Sequence, residues 1–144
     1  MKMSTQGAGS RSDCPVNVAL EIFGDRWSLL IIRDMMFRGW TAYSEFLGAE
    51  EGISTNILAD RLKRLAEAGI IGKGSSTGKG GSCYRLTSKG IALAPVLVEI
   101  VLWSTSHEAT SAPPAVMRRL KRDKAAFLAD IRRAWKDSGP PPVG

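Results

Sequence analysis

Apolar residues return at helical spacing through the first seventy positions of this chain and then change period. Val16, Ala19, Leu20 and Phe23 make a stripe behind Pro15, which suits a first helical position, and Gly24 ends it. Asp25 is placed to cap a second helix carrying Trp27, Leu30, Ile31, Asp34 and Met35, whose WSLLII run is apolar nearly all round. A helix of that kind belongs in the centre of a fold. Gly39 closes it, Thr41 is the expected cap of a short third helix with Tyr43, Phe46 and Leu47, and a turn, GAEEG, follows.

The stretch Ile53 to Gly69 has two unlike faces. Ser54 is a good N-cap and Gly69 the favoured residue past a helix end. Leu58, Leu62 and Leu65 fall on one side, and Asn56, Ala59, Asp60, Lys63 and Glu67 on the other. Beyond Gly69, Ile70 and Ile71, a Gly, Ser and Thr-rich segment over 72–82, and CYRLT read as two short strands around a glycine-rich, basic tip. Helix, short helix, helix and β-hairpin, in that order, predict a mainly α fold with a small hairpin, a winged helix-turn-helix. In that arrangement the second helix of the turn unit enters the major groove and the hairpin lies along the neighbouring backbone.

Ser88 is the expected cap of the next helix, in which Leu93, Leu97, Ile100, Val101 and Trp103 form an apolar surface too broad for one small domain to cover. A partner subunit is the economical cover, and Pro95 predicts a bend. Residues 111–137 are read as one further amphipathic helix with Leu120, Phe127, Ile131 and Trp135 on one face and basic residues elsewhere. Docking of that helix on its own dimer is preferred to a role as an extra DNA-binding arm. The domain therefore spans 14–110, between a flexible arm over 1–13 and a disordered tail over 138–144.

Composition narrows the function classes. A chain of 144 residues, 44% hydrophobic and 24% charged, fits one globular domain with a core of its own. No apolar run is read as approaching the roughly 20 residues of a membrane span, and the N-terminus lacks the apolar core of a signal peptide, so the chain is expected in the cytoplasm. Cys14, Cys83 and His107 are too few and too scattered for a disulfide scaffold or a zinc site. No phosphate loop, nucleophile elbow or His-Glu-x-x-His is present, GKGSSTGKGG lacks the spacing of a P-loop, and no cofactor or enzymatic activity is expected. The net charge is +6, and residues 72–90 hold Lys73, Lys79, Arg85 and Lys89 without an acid. Such a basic patch is the footprint of a polyanion binder.

Three segments, CPVNVALEIFGDRWSLLIIRDMMFRGWTAYSEF, GISTNILADRLKRLAEAGII and CYRLTSKGIALAPVL, resemble the HxlR family of bacterial transcriptional regulators, relatives of the MarR group. The resemblance runs from about Cys14 to Ser106. Its specific parts are the Cys-Pro start, the Gly-x-x-Trp before the central helix, the Ile-Ser opening of the recognition helix, and Tyr-x-Leu-Thr-x-x-Gly. It implies a homodimeric winged-helix repressor on operator DNA, without enzymatic activity, and it carries a proline at the place of Pro95. In some members the cysteine of the Cys-Pro pair senses oxidants or electrophiles such as quinones and aldehydes, which makes Cys14 a candidate sensor; the alternative is a small structural residue at the helix start. The chain departs from the family in its glycine-rich wing and in continuing past His107.

Roles follow from position. Thr55, Asn56, Ala59 and Lys63 are candidates for base edges: Asn pairs adenine bidentately, and Thr and Ala touch a thymine methyl. Ser54, Arg64, Lys73, Lys79 and Arg85 are candidates for phosphates. Arg61 suits DNA contact, or an ion pair with Asp60 of a neighbouring molecule or with Glu67. Pairing through the helix of Leu93 to Trp103 would set two recognition helices roughly 34 Å apart on a near-palindromic operator. The competing reading is a protein-interaction module that uses the winged fold without specific DNA binding.

Overall fold

Asp25 starts the central helix from outside it, three positions before its first residue. Its carboxylate accepts from the N–H groups of Trp27 and Ser28 at 2.9 and 3.0 Å and from Ser28 Oγ at 2.6 Å. In this computed structural model, which describes residues 11–75 and 82–138, that cap separates α1 (Pro15–Phe23) from α2 (Ser28–Phe37). Ile31, Ile32 and Met35 of α2 are buried, as the unbroken apolar run requires. They meet Phe46 of α3 (Tyr43–Leu47), Leu58, Leu62 and Leu65 of α4 (Thr55–Glu67), and Tyr84 and Leu86 of the hairpin in one core. The cap of α3 differs from expectation. Thr41 and Ala42 donate their N–H groups to the Glu45 carboxylate, both at 2.9 Å, so the cap reaches back from within the helix.

The hairpin pairs β1 (Ile71–Ser75) with β2 (Ser82–Leu86) antiparallel, with Gly72 opposite Arg85 and Lys73 opposite Tyr84. Its far edge is joined by the segment before α3, where Tyr84 donates its N–H to Thr41 O at 2.8 Å. The hairpin is stitched to the end of α4 by the Tyr-x-Leu-Thr-x-x-Gly motif. Thr87, rather than Ser88, caps α5 (Ser88–Ile91): its hydroxyl accepts from Gly90 N at 3.1 Å and donates to Gly69 O at 2.6 Å. Gly90 permits the approach, because a Cβ there would stand 2.2 Å from Ile70 O. Gly69 itself turns the chain at φ +77°, a conformation glycine adopts without strain.

α6 (Ala94–His107) begins afresh after α5, with Pro95 in its first turn. The proline therefore imposes no bend. Together α5 and α6 make Ser88–His107, which by length and composition alone is apolar enough to cross a membrane; this corrects the expectation that no run approaches that length. The run is two helices joined at Ala92 and Leu93, and Gly90, Ile91, Ala94, Leu97 and Val98 are buried inside the protomer.

The C-terminal segment is two helices, not one. Asp123 ends α7 (Pro114–Arg122) and caps α8 (Lys124–Asp137), accepting from Ala126 N at 3.0 Å. Leu120 is buried, Ile131 and Trp135 pack on the core, and Trp135 Nε1 donates to Leu86 O at 2.9 Å. The hairpin of helices thus docks on its own domain. Of the expected arm and tail, residues 1–10 and 139–144 lie outside the described residues; Ser138 forms the C-cap of α8.

Candidate nucleic-acid interface

The two faces of α4 separate as its sequence requires. Leu58, Leu62 and Leu65 are buried, while Thr55, Asn56, Ala59, Lys63 and Arg64 are exposed. Ser54 Oγ accepts from Ile57 N at 3.3 Å, which caps the first turn and fixes the start of the helix. Tyr43 donates its hydroxyl to Thr55 O at 3.0 Å, joining α3 to that same turn.

Ion pairs from the scaffold set the pose of this helix. Arg33 makes a fork to Glu51 at 2.8 and 2.9 Å, and Arg38 a fork to Glu50 at 2.8 and 2.7 Å. Both acids belong to the turn that leads into α4, so Arg33 within α2 and Arg38 at its C-cap hold the approach to α4. Bidentate pairs of this kind fix geometry as well as charge. Between them sits Asp34, buried and bonded to Arg33 Nε at 2.9 Å; burial pushes its carboxyl upward against the pull of the two arginines. The Arg38 guanidinium holds Glu50 down at about 2.

Arg61 belongs to this scaffold. Its Nε donates to Asp25 Oδ2 at 2.9 Å, and its Nη1 pairs with Asp60 of the same molecule. Burial raises the Asp25 carboxyl, but hydrogen bonds from Ser28, Arg61 and the N–H groups of Trp27 and Ser28 prevail and bring it to about 2. The expected pairs with a neighbour's Asp60 or with Glu67 are replaced by this one, and Arg61 is turned from the exposed face toward the base of α2. Arg64 leans toward Asp60 at 3.5 Å but stays exposed.

The wing candidates divide. Lys73 is exposed on β1, while Lys79 lies outside the described residues. Arg85 is half-buried and donates to Ser138 O and Oγ at the end of α8, so the C-terminal hairpin holds it rather than leaving it open toward a backbone phosphate.

A profile of the HxlR-like helix-turn-helix family matches residues 22–112. The chain belongs to the HxlR-like helix-turn-helix family. It is 35% identical over 94 residues to the HTH-type transcriptional regulator YvaP of Bacillus subtilis (strain 168), a match covering 64% of this chain and 86% of that one. Among solved structures it is similar to PA1607, a candidate transcription factor, with TM-score 0.65, 38% identity and 72% of each chain covered. It is similar also to the reduced form of the transcriptional regulator YodB from B. subtilis, with TM-score 0.56, 31% identity, and 67% of this chain and 95% of that one covered. YodB has been solved after diamide treatment too, and that structure matches at TM-score 0.53 and 30% identity.

As an HxlR-like protein this chain is a winged-helix transcriptional regulator, and the family is one of regulators rather than enzymes. Two of its helices carry large apolar side chains that stay exposed among the described residues. None of α1 is fully buried: Val16 is 66% and Leu20 48% exposed. On α6, Ile100 is 42% and Trp103 62% exposed. Leu97, expected at a subunit contact, is buried in the core of its own protomer, and Leu93 packs partly against that core. Val101 is half-buried.

Cys14 is the N-cap residue of α1, with its thiol exposed. It makes no side-chain cap of ordinary geometry, yet the backbone N–H groups of Asn17 and Val16 lower its pKa. Arg11 faces elsewhere, donating to Asn17 Oδ1 at 2.8 Å and pairing with Glu21. Sequence reasoning missed the two forks and the Asp25–Arg61 pair, whose partners lie 12 to 36 positions apart. The available signal was the pair of adjacent acids in GAEEG beside an α2 with two arginines.

Proposed function

We propose that this HxlR-like regulator binds a near-palindromic operator as a homodimer and represses the gene behind it. The observation that carries the reading is the exposed row Thr55, Asn56, Ala59 and Lys63 on a helix whose approach is clamped by the Arg33–Glu51 and Arg38–Glu50 forks. A reading helix gains from being held before it meets a base edge, since less ordering is left for binding to supply. Thr55, Asn56, Ala59 and Lys63 read bases, and Ser54, Arg64 and Lys73 position phosphates. A dimer seated on a promoter blocks polymerase most simply, hence repression. The test uses an operator found by footprinting the DNA upstream of the gene. Asn56→Ala should cost about 1–3 kcal/mol on that operator and little on random duplex. Equal losses on both remove Asn56 from the reading set, and wild-type binding that ignores salt removes DNA as the partner.

The partner subunit covers the exposed α1 and α6 faces. Val16 and Leu20 on one helix and Ile100 and Trp103 on the other are the apolar surface an isologous contact would bury.

Cys14 is the candidate switch of this dimer. Its exposure and lowered pKa favour reaction of the thiolate, and its place at the start of a helix in the proposed dimer contact lets a modification there alter how two recognition helices are spaced. The similar YodB, solved both reduced and diamide-treated, supports an effector that is an oxidant or electrophile. Wild type, Cys14→Ser and Cys83→Ser are treated with diamide or a quinone and operator binding is followed. Release is expected for wild type and Cys83→Ser only. If Cys14→Ser releases DNA as readily, Cys14 is not the sensor.

A further inference from the structure

The α7–α8 hairpin lies beyond residue 112, where the family match ends. It holds most of the chain's charge imbalance: residues 114–138 carry eight basic and three acidic side chains, against a net +6 for the whole protein. We propose that this hairpin is a second DNA-contacting surface, which engages phosphates flanking the operator outside the reach of the recognition helix. The inference rests on the operator-binding reading given above and adds a surface to it.

Three observations carry it. The hairpin's apolar side is already spent on docking, since Leu120 is buried and Ile131 and Trp135 pack on the core. What remains outward is its charged side. Several of the neighbouring acids are occupied from within: Asp123 caps α8, Asp130 pairs with Arg119 and Arg133, and Glu99 of α6 pairs with Lys124. Arg118, Lys121, Arg122, Arg132 and Lys136 are exposed and make no ion pair with the described residues. Five like charges on so short a hairpin repel one another, and a polyanion relieves that repulsion while releasing its own counterions.

Position selects the polyanion. α8 ends against the wing: Ser138 accepts from Arg85 on β2, and Trp135 bonds Leu86 of the same strand. Arg132 and Lys136 occupy the last two turns of α8. On β1, Gly72 is the residue paired with Arg85, while Lys73, paired with Tyr84, belongs to the other face of the two-stranded sheet. The exposed cations of α8 therefore stand on a helix whose end abuts the wing at β2 instead of forming an isolated patch on the far side of the molecule. A wing lies along the backbone beside the groove that the helix reads, so a surface abutting it meets the flanking duplex. In a dimer the same surface recurs at both ends of the site.

The test is a salt titration of the full chain on random duplexes of about 16 and about 40 base pairs. Wild type and the variant R118Q/R122Q/R132Q/K136Q, which leaves every apolar anchor in place, are compared with R118K/R122K/R132K/K136R, which keeps the charge. Wild type should show a steeper slope of log affinity against log salt on the long duplex than on the short one, by about two to four units at nearly one unit per phosphate. The Gln variant should show equal slopes on both, at unchanged short-duplex affinity and unchanged melting temperature, and the charge-keeping variant should behave as wild type. A Gln variant with the wild-type slope on the long duplex overturns the proposal while leaving the operator reading intact. Wild type without salt-dependent binding to either duplex overturns the operator reading, and this inference with it. Tighter binding of the wild-type hairpin charges to duplex RNA of equal length, or to phosphatidylglycerol vesicles, with the same loss in the Gln variant, also overturns it, because the partner would not be DNA.

Discussion

α2 and α1 are both apolar helices of about the same length, and they end in opposite surroundings. α2 buries Ile31, Ile32 and Met35, leaves Phe37 exposed at its last position, and is tied to other elements through Asp25, Arg33 and Arg38, so most of its apolar and ionic contacts lie within one protomer. α1 buries no residue fully and leaves Val16 and Leu20 open. The outer side of α6 belongs with α1: Ile100 and Trp103 are open while Leu97 and Val98 on its inner side are buried. An apolar stripe shows that a face leaves water, but not which molecule covers it. Charge adds a difference of degree: α2 and its C-cap hold Arg33, Asp34 and Arg38 in ion pairs, whereas α1 and α6 show one pair each among the described residues, Glu21 with Arg11 and Glu99 with Lys124.

The largest effect should come from α2. Ile32→Ala removes a fully buried side chain from the middle of the core and should cost about 2–5 kcal/mol in denaturant unfolding. That loss should be the same at every protein concentration once monomer and dimer are separated. On α6, Trp103→Glu should leave the protomer folded, because Trp103 is largely exposed and its recorded ring contact is with His107 of the same helix, and should weaken self-association by about 2 kcal/mol or more, read by sedimentation. The comparison breaks if Trp103→Glu unfolds the isolated protomer, or if Ile32→Ala acts only through the dimer.

Much of this distinction was visible in the sequence, and the reasons for the remainder are physical. The α4 helix was legible to its caps, because Ser54, Gly69 and three leucines at helical spacing are local signals that tertiary packing reinforces. The buried α2 was legible from apolar residues on all sides. The cap of α5 was displaced by one residue, since Ser88 and Thr87 are adjacent hydroxyls and only the approach of Gly90 to Ile70 O selects Thr87. The division of α7 from α8 turned on Asp123, which reads equally as a helix residue and as a cap until the chain reverses there. Arg61 reads in the sequence as a DNA contact or an ion-pair residue, and Arg85 as a phosphate candidate, because a cation near a helix of this kind carries no sequence mark of an internal partner. Asp25 stands 36 positions from Arg61 and Ser138 stands 53 from Arg85, and folding alone brings them together.

The smallest effect concerns the ionic half of the comparison, the Asp25–Arg61 pair between the base of α2 and the recognition helix. Burial of Asp25 acts to raise its carboxyl, and hydrogen bonds from Ser28 and Arg61 bring it instead to about 2, below the 3.8 of an unperturbed group. A depressed folded-state value means that the charged form is favoured by folding, so the stabilisation is fully present above about pH 4 and is lost as the pH falls through about 2. Partial exposure screens the pair, which leaves on the order of 1–2 kcal/mol. Glu50 titrates in the same window and with the same sign, whereas Asp34, raised by burial, acts with the opposite sign. Total acid lability therefore does not isolate Asp25, but the difference between wild type and Asp25→Asn does. Urea unfolding should find Asp25→Asn less stable at neutral pH by that amount and the gap closing as the pH approaches about 2. A gap that stays constant across that range would mean that Asp25 acts only as a neutral cap for α2, through the N–H groups of Trp27 and Ser28, and that Arg61 contributes no charge-dependent hold on the recognition helix.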